Sequence, residues 1–111
     1  MKKLLSILIL SGLMLNLFAQ SNTAEVKIRT SAVCETCKET IEHEMSFAKG
    51  VKTVTLDLET KIVKVVYNPA KTNENDIRVA LTRVGYDADS LAADPKAFRK
   101  LPECCQKPGA H

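Results

Sequence analysis

The run Glu25-Val26-Lys27-Ile28-Arg29-Thr30-Ser31-Ala32-Val33-Cys34-Glu35-Thr36-Cys37-Lys38 changes its period midway. Up to Thr30 it alternates polar and apolar, which reads as a strand with Val26 and Ile28 facing a core. Beyond Cys37, Ile41, Met45 and Ala48 recur at helical spacing, while Glu39, Glu42 and Glu44 keep the other face polar. Gly50 predicts the end of that helix in the left-handed conformation. Two thiols therefore fall between a strand and a helix, at the helix's positive end. Thiols so placed ionise readily, and a pair of them can grip a soft metal ion.

From Val51 the period returns to two. Val54, Leu56 and Leu58 alternate with Thr53, Thr55 and Asp57, and Glu59-Thr60-Lys61 offers a turn. Val63, Val65 and Tyr67 then share one face, so the two runs predict a hairpin, broken by Asn68-Pro69. A second helix follows. Asn73 can cap it, with Asp76 three residues on. Ile77, Ala80, Leu81 and Val84 make one apolar stripe, and Gly85 ends it. Tyr86 to Leu91 is expected to form a last short strand. The order βαββαβ, with one apolar face per helix and one for the sheet, predicts an α+β two-layer sandwich of the ferredoxin-like type.

The ends read differently. Met1-Lys2-Lys3 is basic and Leu4 to Phe18 is mostly apolar, followed by Ala19. This predicts a secretory signal peptide over residues 1–19, cut near Ala19 or Gln20, and hence a periplasmic or secreted protein. The run is short for a membrane span, which takes about 20 apolar residues. The domain is expected over residues 24–91. In the C-terminal extension, residues 92–111, Asp94-Pro95 can start a short helix with Phe98 and Leu101 as its apolar contacts. The tail from Glu103 to His111, which carries Cys104 and Cys105, is expected to be flexible.

The 111 residues carry 16 basic and 13 acidic side chains, and removing Lys2 and Lys3 with the leader brings the remainder close to neutral. No block of like charge, no Trp and few aromatics argue against a nucleic-acid partner. No Ser-His-Asp set, paired carboxylates or phosphate-binding glycine loop is present, so no enzyme is expected.

Taken together, residues 25–91 resemble the heavy-metal-associated (HMA) domain family, which includes copper chaperones and periplasmic mercury-binding proteins. The Cys-x-x-Cys lies between first strand and first helix. Gly50-Val51 opens the hairpin, Val65-Val66-Tyr67-Asn68-Pro69 closes it, and Val84-Gly85-Tyr86 follows the second helix. The chain departs from the family in having Ser31-Ala32-Val33 where Gly-Met-Thr is usual, and Glu35-Thr36 where small residues are common. The resemblance implies that Cys34 and Cys37 hold a metal, with Tyr86 beside the loop as a shield. It also implies a carrier that passes one ion to a membrane metal transporter or pump, as a monomer or a metal-bridged dimer.

Residue chemistry narrows the ion. Two thiolates suit linear Cu(I) or Hg(II), whereas Zn(II) or Cd(II) would need further ligands. Glu35 is either an oxygen donor to such an ion or a solvated acid at the helix start. Lys38 either lowers the thiol pKa or is simply solvated. Cys104 and Cys105 have three readings: a second soft-metal site with His111, the completion of a four-sulfur cage with Cys34 and Cys37, or exposed thiols that pair with each other or another molecule. A disulfide between neighbours is strained, so cross-pairing is easier. His43 lies off the apolar stripe and reads as a surface residue. The competing functional reading is a thiol–disulfide redox protein using the same Cys-x-x-Cys.

Overall fold

The computed structural model describes residues 22–106. The expected signal peptide and His111 lie outside that range. Strand β1 (Ala24–Arg29) leads to helix α1 (Glu35–Met45), and β2 (Val51–Asp57) and β3 (Ile62–Tyr67) form the hairpin. Helix α2 (Glu74–Val84) follows, then a short α3 (Pro95–Arg99) and a 3-10 turn at Glu103–Cys105.

The sheet has the order β1-β3-β2, all antiparallel. Pairing Val26 with Val65 and Ile28 with Val63 puts the apolar positions of both strands on one side. These residues join Leu56, Ile41, Met45, Ile77 and Leu81 in a single core. The two helices thus cover one face of the sheet, as their stripes require. On the open face Lys27, Lys64 and Thr55 are exposed. This is the α+β ferredoxin-like arrangement, seen here as βαββα.

The starts of α2 and α3 are set locally by side-chain caps. Asn73 caps α2 by accepting from the Asp76 N–H at 2.9 Å. Asp94 caps α3 by accepting from the Ala97 N–H at 3.2 Å, with Pro95 in the first turn. Gly85 ends α2 at φ 119°, a left-handed conformation that a side chain would strain.

Two expectations of local structure are corrected. Helix α1 ends at Met45, with Ser46 as its C-cap, and not at Gly50. The chain winds on through turns, Ala48 N–H to Met45 O and Val51 N–H to Ala48 O, and Gly50 at φ 78° serves the last of these. The last strand is also absent among the described residues. Ala88 makes only isolated bridges, to Thr30 and to Leu91. Asp89 takes φ 53°, and Ala88 and Leu91 exchange both backbone hydrogen bonds at 2.9 Å, so the chain reverses at Asp89-Ser90 before a strand can extend.

The aborted strand is still fastened to β1. The Arg29 N–H donates to Asp89 Oδ1 at 2.9 Å, and Arg78 Nε donates to Asp89 Oδ2 at 2.8 Å. Burial acts against ionisation of Asp89, but the Arg78 guanidinium and the Arg29 N–H outweigh it and hold the carboxyl below its usual range.

Candidate metal centre

The centre begins with the loop between β1 and α1. Thr30 is fixed by its hydroxyl, which donates to Lys61 O at 2.9 Å and accepts from the Ala32 N–H at 3.2 Å. Ser31 is buried, and its Oγ accepts from the Asp87 N–H at 3.0 Å. That bond ties the cysteine loop to the loop after α2. Residue-level reading of the sequence did not find the Ser31–Asp87 tie, because a 56-residue separation leaves no local signal.

Cys34 is the N-cap of α1, with extended φ and ψ of −140° and 168°. Its carbonyl accepts from the Lys38 N–H at 3.1 Å. Cys34 is half-buried, whereas Cys37, on the inner face of the first turn, is fully buried. Their sulfurs lie 3.1 Å apart.

Among the described residues the tail, as far as Gln106, is folded back rather than flexible. Leu101 is buried, the Leu101 N–H donates to Phe98 O at 3.1 Å, and Gln106 Nε2 donates to Arg99 O at 3.1 Å and to Leu101 O. These contacts fix the path of residues 98–106, and the 3-10 turn packs against α1. Cys105 is buried and forms a disulfide with Cys37 across 68 residues, with a Cα–Cα distance of 5.8 Å. Cys104 is half-buried, with its sulfur 2.9 Å from that of Cys34. Cys34 is also 3.7 Å from the Cys105 sulfur, and the Cys104 and Cys105 sulfurs are 3.9 Å apart. All four cysteines of the chain therefore converge at one corner.

Tyr86 closes the inner side of this corner. It is fully buried, and its hydroxyl donates to Cys105 Sγ at 3.3 Å. Burial pushes the hydroxyl up to about 12, so it stays a donor at neutral pH. Burial likewise raises the Cys34 thiol, and the neighbouring Cys104 adds to this, while the Cys37 and Thr36 N–H groups at the helix start pull the other way. Cys34 is thus not the readily ionised thiol expected of a helix start. Burial, with Cys104 of the tail beside the sulfur, accounts for the reversal. A bound cation would favour the thiolate again.

The remaining sequence candidates stand apart from the sulfurs or beside them. Lys38 Nζ donates to Glu42 Oε2 at 2.9 Å, and its ammonium is thereby engaged along the helix. Glu42 also accepts from the Leu56 N–H at 2.9 Å, which fastens α1 to β2. Glu35 is exposed at the helix start. His43 is exposed and packs edge-on to Phe47 at 5.1 Å. Met45 is buried in the core.

The model of the heavy-metal-associated domain matches residues 28–87, which includes the Cys-x-x-Cys loop and Tyr86. The chain belongs to that family. It is a heavy-metal-binding domain. It is 35% identical over 83 residues to copper-transporting ATPase 1 of Rattus norvegicus, covering 74% of this chain but 6% of that protein. The chain therefore spans only a small part of the curated relatives it matches. Among solved structures it resembles oxidised MerP from Ralstonia metallidurans CH34, with a TM-score of 0.57 at 26% identity, over 60% of this chain and 94% of MerP. A CopZ metallochaperone shares the fold, with a TM-score of 0.55 at 24% identity, over 59% of this chain and 98% of CopZ. No helix among the described residues is long and apolar enough to cross a membrane.

Proposed function

We propose that this protein is an exported carrier of one soft metal ion, bound by Cys34 and Cys37 and handed to a membrane metal transporter or pump. The observation that carries the reading is the placement of the two sulfurs, 3.1 Å apart at the start of α1 in an HMA fold. The electropositive helix start favours an anionic dithiolate complex. Cu(I) or Hg(II) suits the pair acting alone, since both accept two soft ligands in line.

Transfer proceeds by ligand exchange. An acceptor's thiolate adds to the ion, a three-coordinate intermediate forms, and one of the two original sulfurs leaves. Each step replaces one metal–sulfur bond by another, so a tight site can still deliver. The sequence of the leader supports export, and the likeness to copper-transporting ATPases supports a pump as acceptor.

Titration of the reduced chain with Cu(I), Hg(II) and Zn(II), followed by native mass spectrometry, tests this. One retained ion per chain is expected, lost when Cys34→Ser and Cys37→Ser are combined. A wild type that retains no ion, or a double variant of full affinity, sinks the proposal.

The Cys37–Cys105 disulfide favours a second reading, thiol–disulfide exchange. That reading expects the oxidised chain to pass its disulfide to a dithiol peptide, and it is excluded if the disulfide survives that incubation unchanged.

A further inference from the structure

We infer that Cys104 and Cys105 belong to the same metal site as Cys34 and Cys37, and that the four sulfurs form a closed cage for a tetrahedral divalent ion, Zn(II) or Cd(II). This rests on the reading of Cys34 and Cys37 as a metal clamp and extends it to the tail.

The geometry supports a shared site over two separate ones. A tetrahedral zinc thiolate has Zn–S bonds of about 2.3 Å, which places neighbouring sulfurs about 3.8 Å apart. Cys34 to Cys105 and Cys104 to Cys105 already stand at 3.7 and 3.9 Å. Cys34 to Cys37 and Cys34 to Cys104, at 3.1 and 2.9 Å, need open by less than about 1 Å to match. The sulfurs of Cys34, Cys104 and Cys105 lie within 4.8 Å of one another, and Cys37 is bonded to the last of them. An ion held by Cys104 and Cys105 would lie beside the Cys34 sulfur, which is 2.9 Å from the first and 3.7 Å from the second.

The arrival of the tail at this corner is built in. The Asp94 cap, buried Leu101 and the two Gln106 hydrogen bonds set the path of residues 94–106. The Tyr86 hydroxyl then donates to Cys105 Sγ, the kind of outer contact that orients a thiolate ligand.

Loading starts from the reduced chain. Two electrons and two protons turn the Cys37–Cys105 disulfide into two thiols. A phosphine supplies the electrons and leaves as its oxide, taking oxygen from water, whose hydrogens become the thiol protons. The divalent ion then displaces one proton from each of four thiols and leaves a complex of charge −2. In that cage the tail sulfurs occupy the positions that an acceptor's thiolates would need. The tail therefore keeps the ion until it lifts, and a Cys-x-x-Cys without such a tail would release faster.

The test is zinc X-ray absorption with native mass spectrometry on the chain reduced by a phosphine without oxygen. The expected result is one Zn(II) per chain with four sulfur ligands at about 2.3 Å. Cys104→Ser, at a half-buried position that leaves the Cys105 packing in place, should give three sulfurs and faster loss of zinc to a chelator. Cys104→Ser with Cys105→Ser should give two. Two sulfurs in the wild type with no change in either variant overturns the cage and leaves the clamp standing. Two ions per chain, or an ion shared between two chains, overturns it equally. A chain that retains none of Zn(II), Cu(I) and Hg(II) overturns the clamp itself.

Discussion

The body, residues 24–91, and the extension, residues 92–106, are held by different means. The body closes on a continuous apolar layer in which Ile28, Ile41, Val63, Val65 and Leu81 are all fully buried. The extension has a five-residue helix with no fully buried residue, one buried leucine and one buried cysteine. It is fixed by a cap, by Leu101 lying over Gly85 and by its sulfurs. The body supplies most of the core, which Leu101 and Cys105 of the extension join. The extension is held by its own short-range hydrogen bonds and by what the body presents to it.

The largest effect should therefore fall in the body. Leu81→Ala removes a fully buried side chain and should lower stability by about 2–5 kcal/mol in urea unfolding. Leu101→Ala should lower it less, while speeding amide exchange at Glu103 to Gln106. Equal losses for the two variants would show that the extension is part of one cooperative core.

Gly85 lies at the junction of the two regions. Any Cβ there would sit at φ 119° and within 3.1 Å of Ala97 O and Leu101 Cγ. Gly85→Ala should lower stability by about 1–3 kcal/mol and loosen the extension at the same time. Retention of the wild-type exchange pattern in residues 94–106 would break that link. A milder probe is Asp94→Ala, which removes the α3 cap. It should weaken the extension alone by about 0.5–2 kcal/mol, read as local exchange with an unchanged urea midpoint for the body.

The smallest effect is that of acid on the body. For Glu42, burial opposes ionisation, but the Leu56 N–H and the Lys38 ammonium outweigh it. Asp89 is held down in the same sense by Arg78 and the Arg29 N–H. Both folded pKa values are depressed, so their stabilisation is present above the ordinary carboxylate range and is lost as pH falls through the folded values. Glu42→Gln should flatten the acid limb of a stability–pH curve, and an unchanged limb would remove Glu42 as a contributor.

Most of the body was legible from the chain. Period two marked β1 and the hairpin, and the i, i+3, i+4 stripe marked α2. Asn73, Gly85 and Asp94-Pro95 marked helix ends because their chemistry acts within a turn of the backbone. The missing strand was less legible. Tyr86 and Ala88 alternate with Asp87 and Asp89 as a strand would, but Asp89-Ser90 is a turn signal, and the pull of Arg78 and Arg29 on Asp89 completes the reversal. The early end of α1 was hidden because Ala48 keeps the helical spacing through what are separate turns.

The sequence by itself determined that two thiols stand at the start of a helix on an HMA fold. The reason is that strand, helix and loop propensities, and the Cys-x-x-Cys between them, are all local. Only the tertiary structure decided that the tail joins them. Cys37 and Cys105 are 68 residues apart, and no periodicity spans that distance. Their meeting depends on how Leu101 and Gln106 seat on the finished body, where one buried sulfur from each pair comes together and one half-buried sulfur from each remains beside it.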